Sequence, residues 1–219
     1  MSKNNKIIVA VACLAILLLI MFGVKSGNQK QSETPANTVT EENTTIKNTK
    51  ENTSLPGLQT SPAPWPAEID HLKERLALIN LPALPEEGTA LHTHEHLDIF
   101  IHGKPVTIPM GIGINESAGF ISPIHVHDET GIIHVESPTI ENFTLGQFFD
   151  VWGVRFDKAS IGGYESDASN TLEVFVNGQK VEGSPREISL TEHEEIAITF
   201  GTQKEEPAIP KSYSFPMGL

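Results

Sequence analysis

A chain of 219 residues with 28 acidic and 15 basic side chains carries a formal charge of −13, a field that repels nucleic-acid phosphates and argues against a nucleic-acid partner. Its single cysteine is Cys13, so the residues beyond it can form no disulfide framework, no Cys-type zinc finger and no thiolate copper site. Metal chemistry, if there is any, falls to the nine histidines and the carboxylates.

After MSKNNK comes IIVAVACLAILLLIMFGV, an uncharged apolar run of about eighteen residues that would span roughly 27 Å as a helix. Lys3 and Lys6 precede it and predict a cytoplasmic N-terminus. Met21-Phe22-Gly23-Val24 offers no small-x-small cleavage site, so residues 1–25 read as an uncleaved single-pass membrane anchor, with the rest of the chain extracytoplasmic. Residues 26–66 are Asn, Thr, Glu, Lys, Ser and Pro with scarcely an apolar side chain, ending in SPAPWP. That composition predicts a disordered tether. Residues 67–219 are long enough for one globular domain with a core.

Within that domain Ile69, Leu72, Leu76 and Ile79 recur at helical spacing, which predicts an amphipathic helix over 67–80 ended by Leu81-Pro82, with His71 off its apolar stripe. HTHEHLDIFIHGKPVTIPM then alternates: Leu97, Ile99 and Ile101 on one face, His92, His94, His96 and Asp98 on the other. HGKP turns the chain, so Val106, Ile108 and Met110 return opposite Ile101, Ile99 and Leu97, and His102 is a turn residue.

SPIHVH-DETG-IIHVES reads as a second hairpin. If DETG is the loop, His125 faces His134 and His127 faces Ile132 across the strands. Ile124, Val126, Ile133 and Val135 then fill the opposite, apolar face. A slip of one residue would turn His134 inward among the aliphatics, so the alternation itself favours the register that brings the imidazoles together.

Thr144 and Gln147 make a capping box, Phe143 and Phe148 a hydrophobic staple, and Gly153 a stop, so a helix runs between them with Leu145, Phe148, Phe149 and Trp152 as its buried stripe. KASIGGYESDAS reads as a flexible connector without a phosphate-binding signature. LEVFVNGQKVEG is a hairpin around Asn-Gly, EIAITFG a closing strand, and His193 a loop residue between them.

From about residue 119 to 201, the order hairpin, helix, strand, turn, strand, with TLGQFFDVWGV, VFVNGQKV and EHEEIAITFG, resembles the ubiquitin-like β-grasp fold of the sulfur-carrier proteins of thiamine and molybdopterin biosynthesis. The C-terminal Gly-Gly of those carriers is replaced here by Met217-Gly218-Leu219, so the resemblance implies the fold without the carrier chemistry. HTHEHLDIFI, SPIHVHDETGIIHVESP and TLGQFFDVWGV behind an apolar N-terminal segment also resemble an uncharacterised family of bacterial extracytoplasmic His-rich proteins. The expected class is α+β: mainly antiparallel β with a β-grasp-like hairpin-helix-strands unit, preceded by an extra hairpin and an amphipathic helix.

An HxH pair on a strand aims two imidazoles into one space, and neutral imidazole is a ready ligand for zinc and copper. The expected metal set is His125, His127 and His134, with His92, His94 or His96 completing it or forming a second site. Zinc or copper(II) suits an all-nitrogen and carboxylate set, and Glu95, Asp98, Asp128 and Glu136 are candidates to orient the ligands. Three histidines leave a coordination position open, so a metal-dependent enzyme with Glu136 as base is one alternative. A structural module whose histidines sense acid is another. Gly119-x5-His125-x-His127 echoes the opening of a cupin motif, but Gly131 or Ile132 stands where its carboxylate belongs.

Overall fold

Alternation in LHTHEHLDIFI produces the longest strand of the domain, β1 (Leu91–Ile101), and the sheet is built outward from it. These features come from a computed structural model that describes residues 55–219; the expected anchor and most of the expected tether lie outside the described residues. Among the described residues no helix is long and apolar enough to cross a membrane.

The elements that follow β1 are β2 (Lys104–Val106), β3 (Ile114–Asn115), β4 (Phe120–Ile121), β5 (Ile124–His125), β6 (Ile132–Ser137), β7 (Ser160–Ile161), β8 (Tyr164–Glu165), β9 (Thr171–Val176), β10 (Gln179–Lys180) and β11 (Glu195–Gly201). Helix α1 (Leu72–Leu78) precedes β1, and α2 (Leu145–Trp152) lies between β6 and β7. The main sheet runs β10-β9-β11-β1-β6-β5, with β2 also on β1. All its pairings are antiparallel except β1 with β11, which run parallel. Hairpin β5–β6, α2 and the last strands therefore do not make a sheet by themselves, because β1, from outside residues 119–201, stands between β6 and β11.

One face of this sheet is apolar. Leu97, Ile99, Ile101, Ile124, Val126, Ile133, Val135, Ile196, Ile198 and Phe200 are buried in one cluster with Leu145, Phe148, Phe149 and Trp152 of α2, each such side chain contributing roughly 1.5–3 kcal/mol of burial. Helix α2 is fixed at both ends as its sequence predicts. Thr144 and Gln147 form the capping box, and Gly153 takes φ 76° at the C-cap, a left-handed value that glycine reaches without strain.

Four local expectations change. The amphipathic stretch 67–80 is α-helical only over Leu72–Leu78, and Asn80 at φ 58° takes the chain out of it. The hairpin after β1 closes with the two-residue turn His102-Gly103, at φ 49° and 72°, so Ile101 pairs with Lys104 and Ile99 with Val106. Val106 thus pairs two residues from its expected partner Ile101, on the same face, because both turn residues are left-handed and the loop is two residues shorter than HGKP suggests.

The third change concerns the end of the expected tether. Trp65 is 1% exposed and meets Trp152 edge to face with centroids 5.9 Å apart, while Gln59 bridges to Val154. One indole buries enough apolar area to pin a segment whose average composition looks unstructured. KASIGGYESDAS is likewise ordered: it forms the β7–β8 hairpin, whose Gly162 lies so close to Trp65 that an added Cβ would come within 2.4 Å of the ring.

Candidate metal centre

The polar face of β1, β6 and β5 carries the histidines. Register places His94 opposite His134 and His92 opposite Glu136 on one side of β6, and His125 opposite His134 on the other. Cross-strand neighbours share a face, so the ring of His134 lies between those of its partners, with centroids 4.7 Å from His94 and 5.4 Å from His125. The hairpin register expected from the alternation of SPIHVHDETGIIHVES is the one observed. Gly131, at φ 86°, closes the turn against β1, where a Cβ would come within 2.7 Å of the Leu97 carbonyl oxygen.

Two HxH pairs point their Nε2 atoms inward. His92 Nε2 and His94 Nε2 are 3.2 Å apart, and His125 Nε2 and His127 Nε2 are 3.1 Å apart. Two nitrogens about 2.0–2.1 Å from one zinc at a tetrahedral angle would be roughly 3.3–3.4 Å apart, so both pairs stand near ligand spacing. Glu136 Oε1 reaches into the space between them, 3.4 Å from His92 Nε2 and 4.0 Å from His125 Nε2. Glu87, from the loop before β1, places Oε1 3.4 Å from His127 Nε2. These residues form two groups that could each hold a metal ion: His92, His94, His134 and Glu136, and His125, His127, His134 and Glu136.

The surroundings keep the cage imidazoles in a form that could bind a metal ion. The His125 side chain is fully buried and its Nδ1 lies 3.0 Å from the Ser122 carbonyl oxygen. Donating Nδ1–H to that carbonyl leaves the Nε2 lone pair facing the cage, the orienting contact that metal-bound histidines commonly make. Burial, and then His127 and His134, push the His125 imidazolium down to about 3. Burial, and then His127 and His94, push His134 down to about 4. Burial also lowers His94. These rings are neutral at physiological pH. Burial raises the Glu136 carboxyl, and the facing Glu87 carboxylate raises it further, as expected for two acids that share a site.

His96, grouped with His92 and His94 by sequence, goes elsewhere. Its Nδ1 is 2.8 Å from Glu195 Oε2 and its Nε2 2.9 Å from the Thr130 carbonyl oxygen. The Thr130 carbonyl can only accept, so Nε2 carries a proton, and a second proton on Nδ1 toward Glu195 would make the ring a cation. Burial opposes this charge, but the Glu195 bond and charge outweigh it and raise the pKa of His96. Tyr213 stacks on the imidazolium at 3.7 Å. His96, Asp98 and Glu195 form a third group that could hold a metal ion, as a second site apart from the cage.

Of the acids singled out by sequence, Glu136 enters the cage and Asp98 lies beside His96, 4.0 Å from its Nδ1. Asp128 accepts from the backbone N–H and hydroxyl of Thr130 in its own turn. Glu95 points to the opposite, core side of the sheet, opposite Ile133. Glu87 and Glu195 had no local signal, since each meets its histidine only through the fold. His71 pairs with Glu68 at 2.7 Å on the surface, and His102 bonds Glu205 at 3.1 Å. His193 sits at a left-handed φ of 61° before β11, its backbone N–H donating to the His94 carbonyl at 2.7 Å.

The architecture is thus a mixed α+β domain with a histidine and carboxylate cage on the polar face of its sheet. Comparison of the chain with protein-family models, with curated proteins and with solved structures gave no match. The chemistry of the cage is therefore read from its own residues.

Proposed function

We propose that this is a membrane-tethered, extracytoplasmic protein that binds zinc or copper(II) through its histidine cage and serves metal handling or sensing. The observation that carries the reading is the meeting of five imidazoles, His92 and His94 from β1, His134 from β6, His125 from β5 and His127 just after it, around the Glu136 carboxylate. The uncharged apolar run near the N-terminus supports tethering. An imidazole and carboxylate set with no thiolate suits zinc and copper(II) better than copper(I).

The cage is closed on one side and open on the other. His125 is fully buried, but the side chains of His92 and His127 are 53% and 42% exposed. Structural metal sites are enclosed; this open rim gives an ion a route in and out and favours exchange over permanent structural use.

The test is metal retention by the full chain, solubilised and purified without a His tag. Zinc and copper(II) should be bound stoichiometrically after dialysis, and a His125→Ala/His127→Ala/His134→Ala variant should lose at least one equivalent. A wild-type protein that retains neither metal at neutral pH refutes the proposal. Recovery in the soluble fraction after cell lysis would refute the tethering part alone.

A further inference from the structure

The donor atoms of the cage outnumber what one ion can use. Around a single zinc or copper, nitrogens about 2.0–2.1 Å from the metal lie at most about 4.2 Å from one another. Here the two HxH pairs belong to separate groups of mutually close donors, joined only through His134 and Glu136. Topology explains the division. β1 and β5 lie on opposite sides of β6, so their backbones are two strand spacings, roughly 10 Å, apart. Each pair nevertheless has its own internal separation near ligand spacing, 3.2 Å and 3.1 Å.

The carboxylates follow the same division. Glu136 Oε1 lies between the pairs, 3.4 Å from His92 Nε2 and 4.0 Å from His125 Nε2. Glu87 Oε1 serves one pair only, 3.4 Å from His127 Nε2 and 4.0 Å from His125 Nε2. His134 Nδ1 is 3.2 Å from Glu136 Oε1 and its ring contacts both sides. A carboxylate has two oxygens and can join two cations, which a ring of neutral imidazoles cannot do for itself.

We propose that the cage is a dinuclear site for two divalent cations, one held by His92 and His94 and the other by His125, His127 and Glu87, with Glu136 bridging them and His134 between them. This rests on the metal-binding reading above and adds the number of ions and their bridge. In proteins that hold two metals at such a bridge the ions stand about 3.5–4 Å apart, close enough for two copper(II) ions to couple magnetically.

The experiment is copper(II) titration of the full, chelator-stripped chain followed by electron paramagnetic resonance, with bound copper counted independently. Expected are two equivalents per chain: an isolated copper(II) spectrum up to the first, then loss or broadening of that signal as the second binds. Either double variant, His92→Ala/His94→Ala or His125→Ala/His127→Ala, should bind one equivalent with an uncoupled spectrum. One equivalent in the wild type would overturn the dinuclear proposal and leave the metal-binding reading standing. Two equivalents that remain uncoupled would also overturn it, because the ions would not share Glu136. No bound copper or zinc would overturn both. The coupling is read in the wild-type protein, so the outcome does not depend on the variants folding.

Discussion

Glu95→Gln should remove a loss of stability that the wild-type protein suffers as pH rises. Glu95 is 0% exposed on the core side of the sheet, and neither carboxyl oxygen has a hydrogen-bond partner. Burial pushes its pKa up to about 8, and Glu192 and Glu194 add to the rise. An unfolded chain ionises this side chain near its ordinary 4.5, so between pH 4.5 and about 8 the folded state holds the extra proton. Stability from this group is intact below pH 4.5 and is lost progressively as pH rises through that window. At 1.36 kcal/mol per unit, the loss between pH 5.5 and pH 8 is about 3 kcal/mol as an upper bound. Glutamine keeps the shape and cannot ionise. Urea unfolding of both metal-free proteins in chelator should therefore show the wild-type midpoint falling by roughly 1.5 M more than that of the variant between pH 5.5 and 8, for a slope near 2 kcal/mol/M. Any fixed cost of the amide appears at both pH values and cancels in the comparison, as does the titration of the histidines. Parallel pH profiles would show that Glu95 is not held protonated and would refute the reasoning.

The metal-free protein should also weaken in acid. The folded-state values of His125 and His134, about 3 and 4, lie below the ordinary 6.5, so the unfolded chain takes up these protons first. Stability falls as pH drops from 6.5, by up to about 3 kcal/mol for each ring at pH 4. Acid unfolding of His125→Asn should show a shallower fall than wild type, and an identical fall would count against a buried neutral His125. His96→Gln should break the imidazolium contact with Glu195, costing on the order of 3–5 kcal/mol in chemical denaturation, as for other buried charge pairs that lose one partner. The metal count should stay unchanged; a lost equivalent would place His96 among the ligands.

Much of this site was legible because β alternation is an arithmetic of two. The apolar residues Ile124, Val126, Ile133 and Val135 admit one register, and that register puts His125 opposite His134. Capping chemistry fixed α2 in the same way, from Thr144, Gln147 and Gly153. What could not be read locally was which strands become neighbours. The parallel pairing of β1 with β11 joins residues about a hundred positions apart, and no short-range pattern announces it. Glu195 and Glu87 remained invisible for that reason, and Trp65 because the apolar content of its segment is concentrated in one side chain.

The placement of His96 shows how one face of a strand can serve two separate groups of side chains. His92, His94 and His96 share a face of β1, yet the strand changes neighbours along its length. On one edge β6 pairs through His96, opposite Ile132, and on the other β11 begins at His96, opposite Glu195. The first two histidines therefore look across to Glu136 and His134, while the third looks toward a buried carboxylate on the opposite edge. Burial lowers the pKa of His96, but the Glu195 carboxyl at its Nδ1 and the Thr130 carbonyl at its Nε2 raise it on balance. The same three-histidine ladder thus contributes His92 and His94 to the cage and His96 to a separate group with Asp98 and Glu195. The dividing line is the residue at which β1 passes from β6 to β11.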